Sequence, residues 1–148
     1  MRAVLRTLAS MSLAAAVVSG CAANPDGTLY RTTVNGPDGS SPQEVVLGDA
    51  TGLVTGIEPA PVDDPNAFDP PTVSADPDDP NALVLRWSNG ACDHAAIAFK
   101  RSGARFVISI DPRTPMFGSC TANLLFRSIR IRLSEPIGPN SIDLPSAR

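Results

Sequence analysis

The chain is poor in the features that usually advertise a chemistry. Its single histidine, His94, would have to serve any Ser-His-acid triad, and no Gly-x-Ser-x-Gly nucleophile elbow accompanies it. There is no Gly-rich phosphate loop, no paired metal-ligand spacing and no cofactor fingerprint. Beyond residue 22 no segment repeats its apolar residues at helical period between caps. Fifteen prolines and 11 glycines in 148 residues argue further against a helical bundle. Aromatic residues are only 5% of the chain and are not interleaved with basic ones, which disfavours nucleic acid as a partner. These absences set the first expectations: no catalytic residues, no metal, no cofactor, and a protein that is not an enzyme. The length suits one domain of ordinary size.

What is present begins with an address. Arg2 and Arg6 form a positive head, and Leu8 to Val18 form an apolar stretch too short to span a bilayer, which takes about 20 residues. Val18-Ser19-Gly20-Cys21 follows, and it resembles the lipobox of bacterial lipoproteins. The resemblance implies that residues 1–20 are a signal peptide and that Cys21 becomes the first mature residue. Cys21 would carry a diacylglyceryl thioether, with its amino group a second acylation site, as by palmitate. Two or three acyl chains anchor stably where one is marginal. The expected location is therefore the outer face of the cell membrane, within the cell envelope. No second apolar run of membrane length occurs.

With Cys21 assigned to lipid, Cys92 and Cys120 remain, and an oxidising compartment favours a disulfide between them. Such a bond closes a loop worth about 3.5 kcal/mol of chain entropy. A zinc site using Cys92, His94 and Cys120 is the rival, but it lacks a fourth ligand.

Charge divides the chain. Residues 22–79 hold eleven acids against Arg31 alone, whereas residues 80–148 hold four acids against nine bases. Residues 21–43 read as a flexible tether, because Pro, Gly, Asn and Asp turn chemistry dominates them. Residues 44–58 contain Glu44-Val45-Val46-Leu47 and Leu53-Val54-Thr55-Gly56-Ile57, two short β-prone runs that suggest a marginal hairpin or an edge on a later sheet. Residues 59–81 read as an acidic Pro-rich loop in which Asp-Asp-Pro-Asn-Ala occurs twice. They lack the EF-hand pattern that calcium binding would require.

From residue 82 the sequence alternates. Leu83, Leu85 and Trp87 share one parity, with Val84, Arg86 and Ser88 on the other. Asn89-Gly90 is a tight-turn signal. Residues 95–100 alternate less cleanly, and with Phe106, Ile108 and Ile110 they predict a hairpin around Arg101-Ser102-Gly103-Ala104. Residues 124–134 form the longest strand candidate, with Leu125, Ile129, Ile131 and Leu133 on one parity and Arg127 interrupting it. Ser141 to Leu144 suggest a short last strand. The expected fold is thus all-β: a small antiparallel β-sandwich or open barrel with one disulfide, spanning residues 44–148 with its compact core at 82–148.

Asn89-Gly90-Ala91-Cys92-Asp93, the hairpin, Cys120 and the Arg-rich strand ending in Leu133-Ser134-Glu135-Pro136-Ile137-Gly138 resemble small exported actinobacterial lipoproteins. The resemblance covers residues 82–139 and implies the Cys92–Cys120 bond and a β-domain, with no activity attached.

One feature suggests a binding surface. Arg130 and Arg132 share a strand face, and Arg86 lies on the polar face of another strand, a set suited to anionic groups. The alternative is a solvated sheet face with arginine stems lying over apolar surface. His94 reads as a loop or strand-end residue, and Asp93, Asp111, Glu135 and Asp143 each sit near a turn or strand end. The leading expectation is a membrane-anchored, non-enzymatic envelope lipoprotein that binds or scaffolds an envelope polymer, a lipid headgroup or a protein. The alternative is a carrier or sensor holding an apolar ligand between sheets, lined by Leu85, Trp87, Phe99, Phe106 and Ile108. A hydrolase using His94 or an acid pair is third.

Overall fold

In a computed structural model, residues 27–35, 42–62, 70–113 and 123–145 are described. They contain nine strands: β1 (Thr28–Val34), β2 (Gln43–Asp49), β3 (Val54–Pro59), β4 (Thr72–Ala75), β5 (Ala82–Gly90), β6 (His94–Ser102), β7 (Arg105–Arg113), β8 (Leu124–Leu133) and β9 (Ile142–Asp143). One 3-10 turn, Pro139–Ser141, precedes β9. The all-β expectation holds. The strands form two sheets, ordered β1-β2-β6-β7-β9 and β3-β8-β5-β4, and the sheets do not close into a barrel.

The alternation read in residues 82–134 is the reason a single core forms. Leu83, Leu85 and Trp87 of β5 and Ile129, Ile131 and Leu133 of β8 face inward from the four-stranded sheet. Val45, Leu47, Ile97, Phe99, Phe106 and Ile108 meet them from the five-stranded sheet. Each such side chain, once fully buried, contributes about 1.5–3 kcal/mol. The Phe99 and Phe106 rings stack with centroids 5.5 Å apart across the β6–β7 hairpin. That hairpin turns at Gly103, whose φ of +62° suits glycine. Arg127, the charged residue that interrupts the apolar parity of β8, still faces inward: it is fully buried, and Nη1 donates to the Val34 carbonyl at 3.4 Å.

Several expectations are corrected. Residues 28–34, placed in the tether, form β1 at the edge of the five-stranded sheet, paired along its length with β2. Its Thr, Tyr and Val residues have strand propensity, but one face is exposed, so it lacks the apolar content of a core strand. Residues 44–58 are no hairpin. β2 lies inside the five-stranded sheet, and β3 is an edge of the other. Asp49 diverts the chain between them: its buried carboxylate accepts from the Thr51 amide (2.9 Å) and hydroxyl (2.6 Å) and from the Val54 amide (2.8 Å).

Asn89-Gly90 is the end of β5 rather than a hairpin turn. Asn89 is buried, and its Nδ2 donates to Gln43 Oε1 at 3.1 Å and to the Asp93 carbonyl at 2.8 Å, so the chain crosses to the other sheet at Ala91-Cys92. Residues 59–81 are not all loop, since β4 supplies the fourth strand beside β5. Pairing is not wholly antiparallel: β2 runs parallel to β6, and β7 to β9.

Candidate functional site

The expected site residues fall in different places. Cys21 and Cys120 lie outside the described residues. Cys92 lies half-buried at the crossing between β5 and β6. Arg86, Arg130 and Arg132 do share the outer face of the four-stranded sheet, but they are not an open anion-binding stripe.

Register explains why. Glu58 of β3 is directly opposite Arg130 of β8, and it accepts from Arg130 at 2.9 Å and from Arg132 at 3.0 Å. Asp76, just past β4, accepts from Arg130 Nε and from the Asp78 amide at 2.8 Å, with its carboxylate buried. Asp79 is 3.7 Å from Arg132, and Arg86 donates to the Ser74 hydroxyl at 2.8 Å. The Arg130 and Arg132 hydrogen bonds hold the Glu58 carboxyl below its usual pKa. For Asp76 the Asp78 amide is the largest cause of the same downward shift, against a desolvation that opposes it, with Arg130 adding to it. The same carboxylates, Glu58 first, raise Arg130. The acids that neutralise the arginines come from the segments read as solvated loop and edge strand.

The apolar-carrier alternative meets a similar obstacle. Leu85, Trp87, Phe99, Phe106 and Ile108, the side chains expected to line a cavity, are all members of the packed core.

A concave site lies elsewhere, on the outer face of the five-stranded sheet. On β2, inward Val45, Leu47 and Asp49 leave Glu44, Val46 and Gly48 outward; on β6, inward Ala95, Ile97 and Phe99 leave His94, Ala96, Ala98 and Lys100 outward. Register sets Val46 beside Ala96 and Gly48 beside Ala98, with Asp111 and Ser109 of β7 on the far side of the two alanines. Small residues on neighbouring strands lower the surface there, because flanking side chains stand above them. The result is a trough of about 520 Å³. Leu29 of β1, 41% exposed, forms its outer wall.

Polar groups mark the two ends. Glu44 and His94 mark one, with Asp111 one step in beside Ala96, and Lys100 stands at the other. Arg31 donates to Glu44 at 2.7 Å across β1 and β2. The lining includes no Phe, Tyr or Trp, so the broad stacking platform that sugars and bases favour is missing. Such a trough suits an extended, largely aliphatic molecule with a hydrogen-bonding or charged group at either end. Among the described residues no group of three His, Cys, Asp or Glu is placed to hold a metal ion.

The sequence singles out His94 and Asp111, but not Glu44, Val46, Gly48 and Leu29, as candidate site residues. They join the site only when β1 and β2 are added to the sheet. The available signal was the imperfect alternation of residues 95–100, where Ala96 and Ala98 take the outward positions that a solvated face fills with polar groups.

Compared with known proteins, the chain matches no family model, no curated protein and no solved structure.

Proposed function

We propose that this chain is an exported lipoprotein, held at the outer face of the cell membrane by lipid on Cys21, whose β-domain is a non-enzymatic binding module. The Cys92–Cys120 disulfide belongs to this reading, in keeping with an oxidising compartment. The observation that carries the binding role is the trough. Its floor of Val46, Gly48, Ala96 and Ala98 is apolar and shallow, with Glu44 and His94 at one end, Lys100 at the other and Asp111 flanking Ala96. Ligand sites commonly combine an apolar lining with a few well-placed polar groups. The ligand class is an elongated aliphatic molecule bearing a basic group toward Glu44 and Asp111 and an acidic group toward Lys100.

The test uses ω-aminooctanoate, octanoate and octylamine as probes, with titration calorimetry and amide chemical-shift mapping. The dipolar probe should bind best and shift the amides of Gly48, Ala96 and Ala98. Ala96→Phe fills the floor from an outward position and should weaken that binding at least about tenfold while the protein stays folded. Equal binding by Ala96→Phe and the parent, or shifts confined to other surfaces, would reject the trough as the site.

A further inference from the structure

The route from the proposed anchor into the fold is short. Cys21 and Thr28, the first residue of β1, are seven positions apart, which a fully extended chain spans in about 25 Å. The chain enters the sandwich at one end, and register tells what else lies there. Thr28 pairs with Asp49, Asp49 with Phe99, and Phe99 with Ile108. The start of β1 and the closed end of the β6–β7 hairpin are therefore neighbours. Gly27, Thr28, Lys100 and Arg101 border one open depression at this end.

The hairpin outruns the strand beside it. β2 ends at Asp49, level with Phe99, whereas β6 continues through Lys100 and Arg101 to Ser102. At a rise of about 3.3 Å per residue the tip projects about 10 Å further. All of residues 100–105 are exposed, and they include the chain's only lysine together with Arg101 and Arg105. Arg101 lies over the Phe106 ring, 5.2 Å from its centroid. Arg105 pairs with Asp143 at 2.6 Å. Asp49 also borders the depression, but it is buried, bonded to Thr51 and Val54, and makes no ion pair with Lys100 or Arg101, which stay exposed. Asp78, Asp79 and Glu135 lie at the same end but follow strands β4 and β8 of the other sheet, with Asp79 beside Arg132. This end of the molecule is thus basic along one sheet and acidic along the other.

We infer that the β6–β7 hairpin tip, through Lys100 and Arg101 with Arg105 beside them, rests on anionic lipid headgroups of the membrane that holds the anchor. The contact tilts the domain so that the acidic rim of the four-stranded sheet stands away from the surface. The inference depends on the lipid anchor proposed above. Each basic residue within a Debye length of an anionic surface strengthens the contact about fivefold at physiological salt.

The experiment uses the full chain, expressed with its signal, purified from membranes and reconstituted into phosphatidylcholine vesicles with or without phosphatidylglycerol. Acetylation of Lys100 by a neutral reagent is followed by peptide mass spectrometry. Lys100 should react at least about fivefold more slowly in the anionic vesicles, and molar salt or Arg101→Glu should restore the rate. A lipidated chain whose Lys100 reacts equally in both vesicles overturns this inference alone. A chain recovered without lipid on Cys21 overturns the anchor and this inference together.

Discussion

Asp76 shows how much one side chain does in this molecule. Its carboxylate is buried, yet it is held charged by the Asp78 amide and by Arg130, which in turn grips Glu58 on the neighbouring strand β3. Both carboxylates titrate lower in the folded protein than in the unfolded chain. Their stabilisation is therefore complete above the usual carboxylate range and is lost as pH falls through and below it, from about pH 4 downward. Urea unfolding across this range should show an acid limb that Asp76→Asn makes shallower, and an unchanged limb would contradict the pairing. Packing supplies a second residue-scale expectation. Leu85 is fully buried between the sheets, so Leu85→Ala should lower unfolding free energy by about 2–5 kcal/mol in urea denaturation. Inward positions such as Leu85 and Ile131 were legible because a period of two is enforced wherever one face is buried. The partners of Arg130 were not, since Glu58 is 72 residues away and nothing local encodes a register of that span.

At the scale of elements, the strands that were legible are those with local partners. β6 and β7 form a hairpin around two residues, Gly103 and Ala104, and both were visible from alternation and a glycine turn. β1 was hidden because Asn, Gly, Pro and Asp residues surround it, and because an edge strand buries only part of its surface. Its Val34 is nonetheless buried, and the Tyr30 hydroxyl donates to the Val54 carbonyl of the other sheet. Deleting residues 28–34 should therefore cost the domain its cooperative thermal transition, whereas removal of a mere tether would leave melting unchanged. The entrance to β1 is equally constrained. Gly27 has a φ of +150°, and a Cβ there would run into the Asp49 carbonyl. Gly27→Ala should cost more than about 1 kcal/mol, measurable by the same denaturation experiment.

For the whole molecule, the division of charge along the chain does not survive folding. Glu58, Asp76 and Asp79 from the acidic half lie against Arg130 and Arg132 from the basic half. The sequence points to the arginines as a binding face, but the concave surface is on the opposite sheet, built largely from small residues that carry no local signal. The proposed address rests on the sequence of residues 1–21 alone, and it carries its own test. Cys21→Ala should move the protein from the membrane fraction to the soluble exported fraction, and unchanged membrane association would reject the anchor.

The parallel pairing of β2 with β6 also governs how the chain reaches its fold. Val45 pairs with Ala95, fifty residues later, and no nearer strand takes that edge of β2. Between the two, the chain must lay β3, β4 and β5 into the other sheet. Neither half of the sequence is then a self-sufficient folding unit, and a topology so rich in distant pairings folds on the slow side, in milliseconds to seconds. The export proposed above would gain from that delay, because β2 has no partner for its inner edge until β6 has followed it across the membrane.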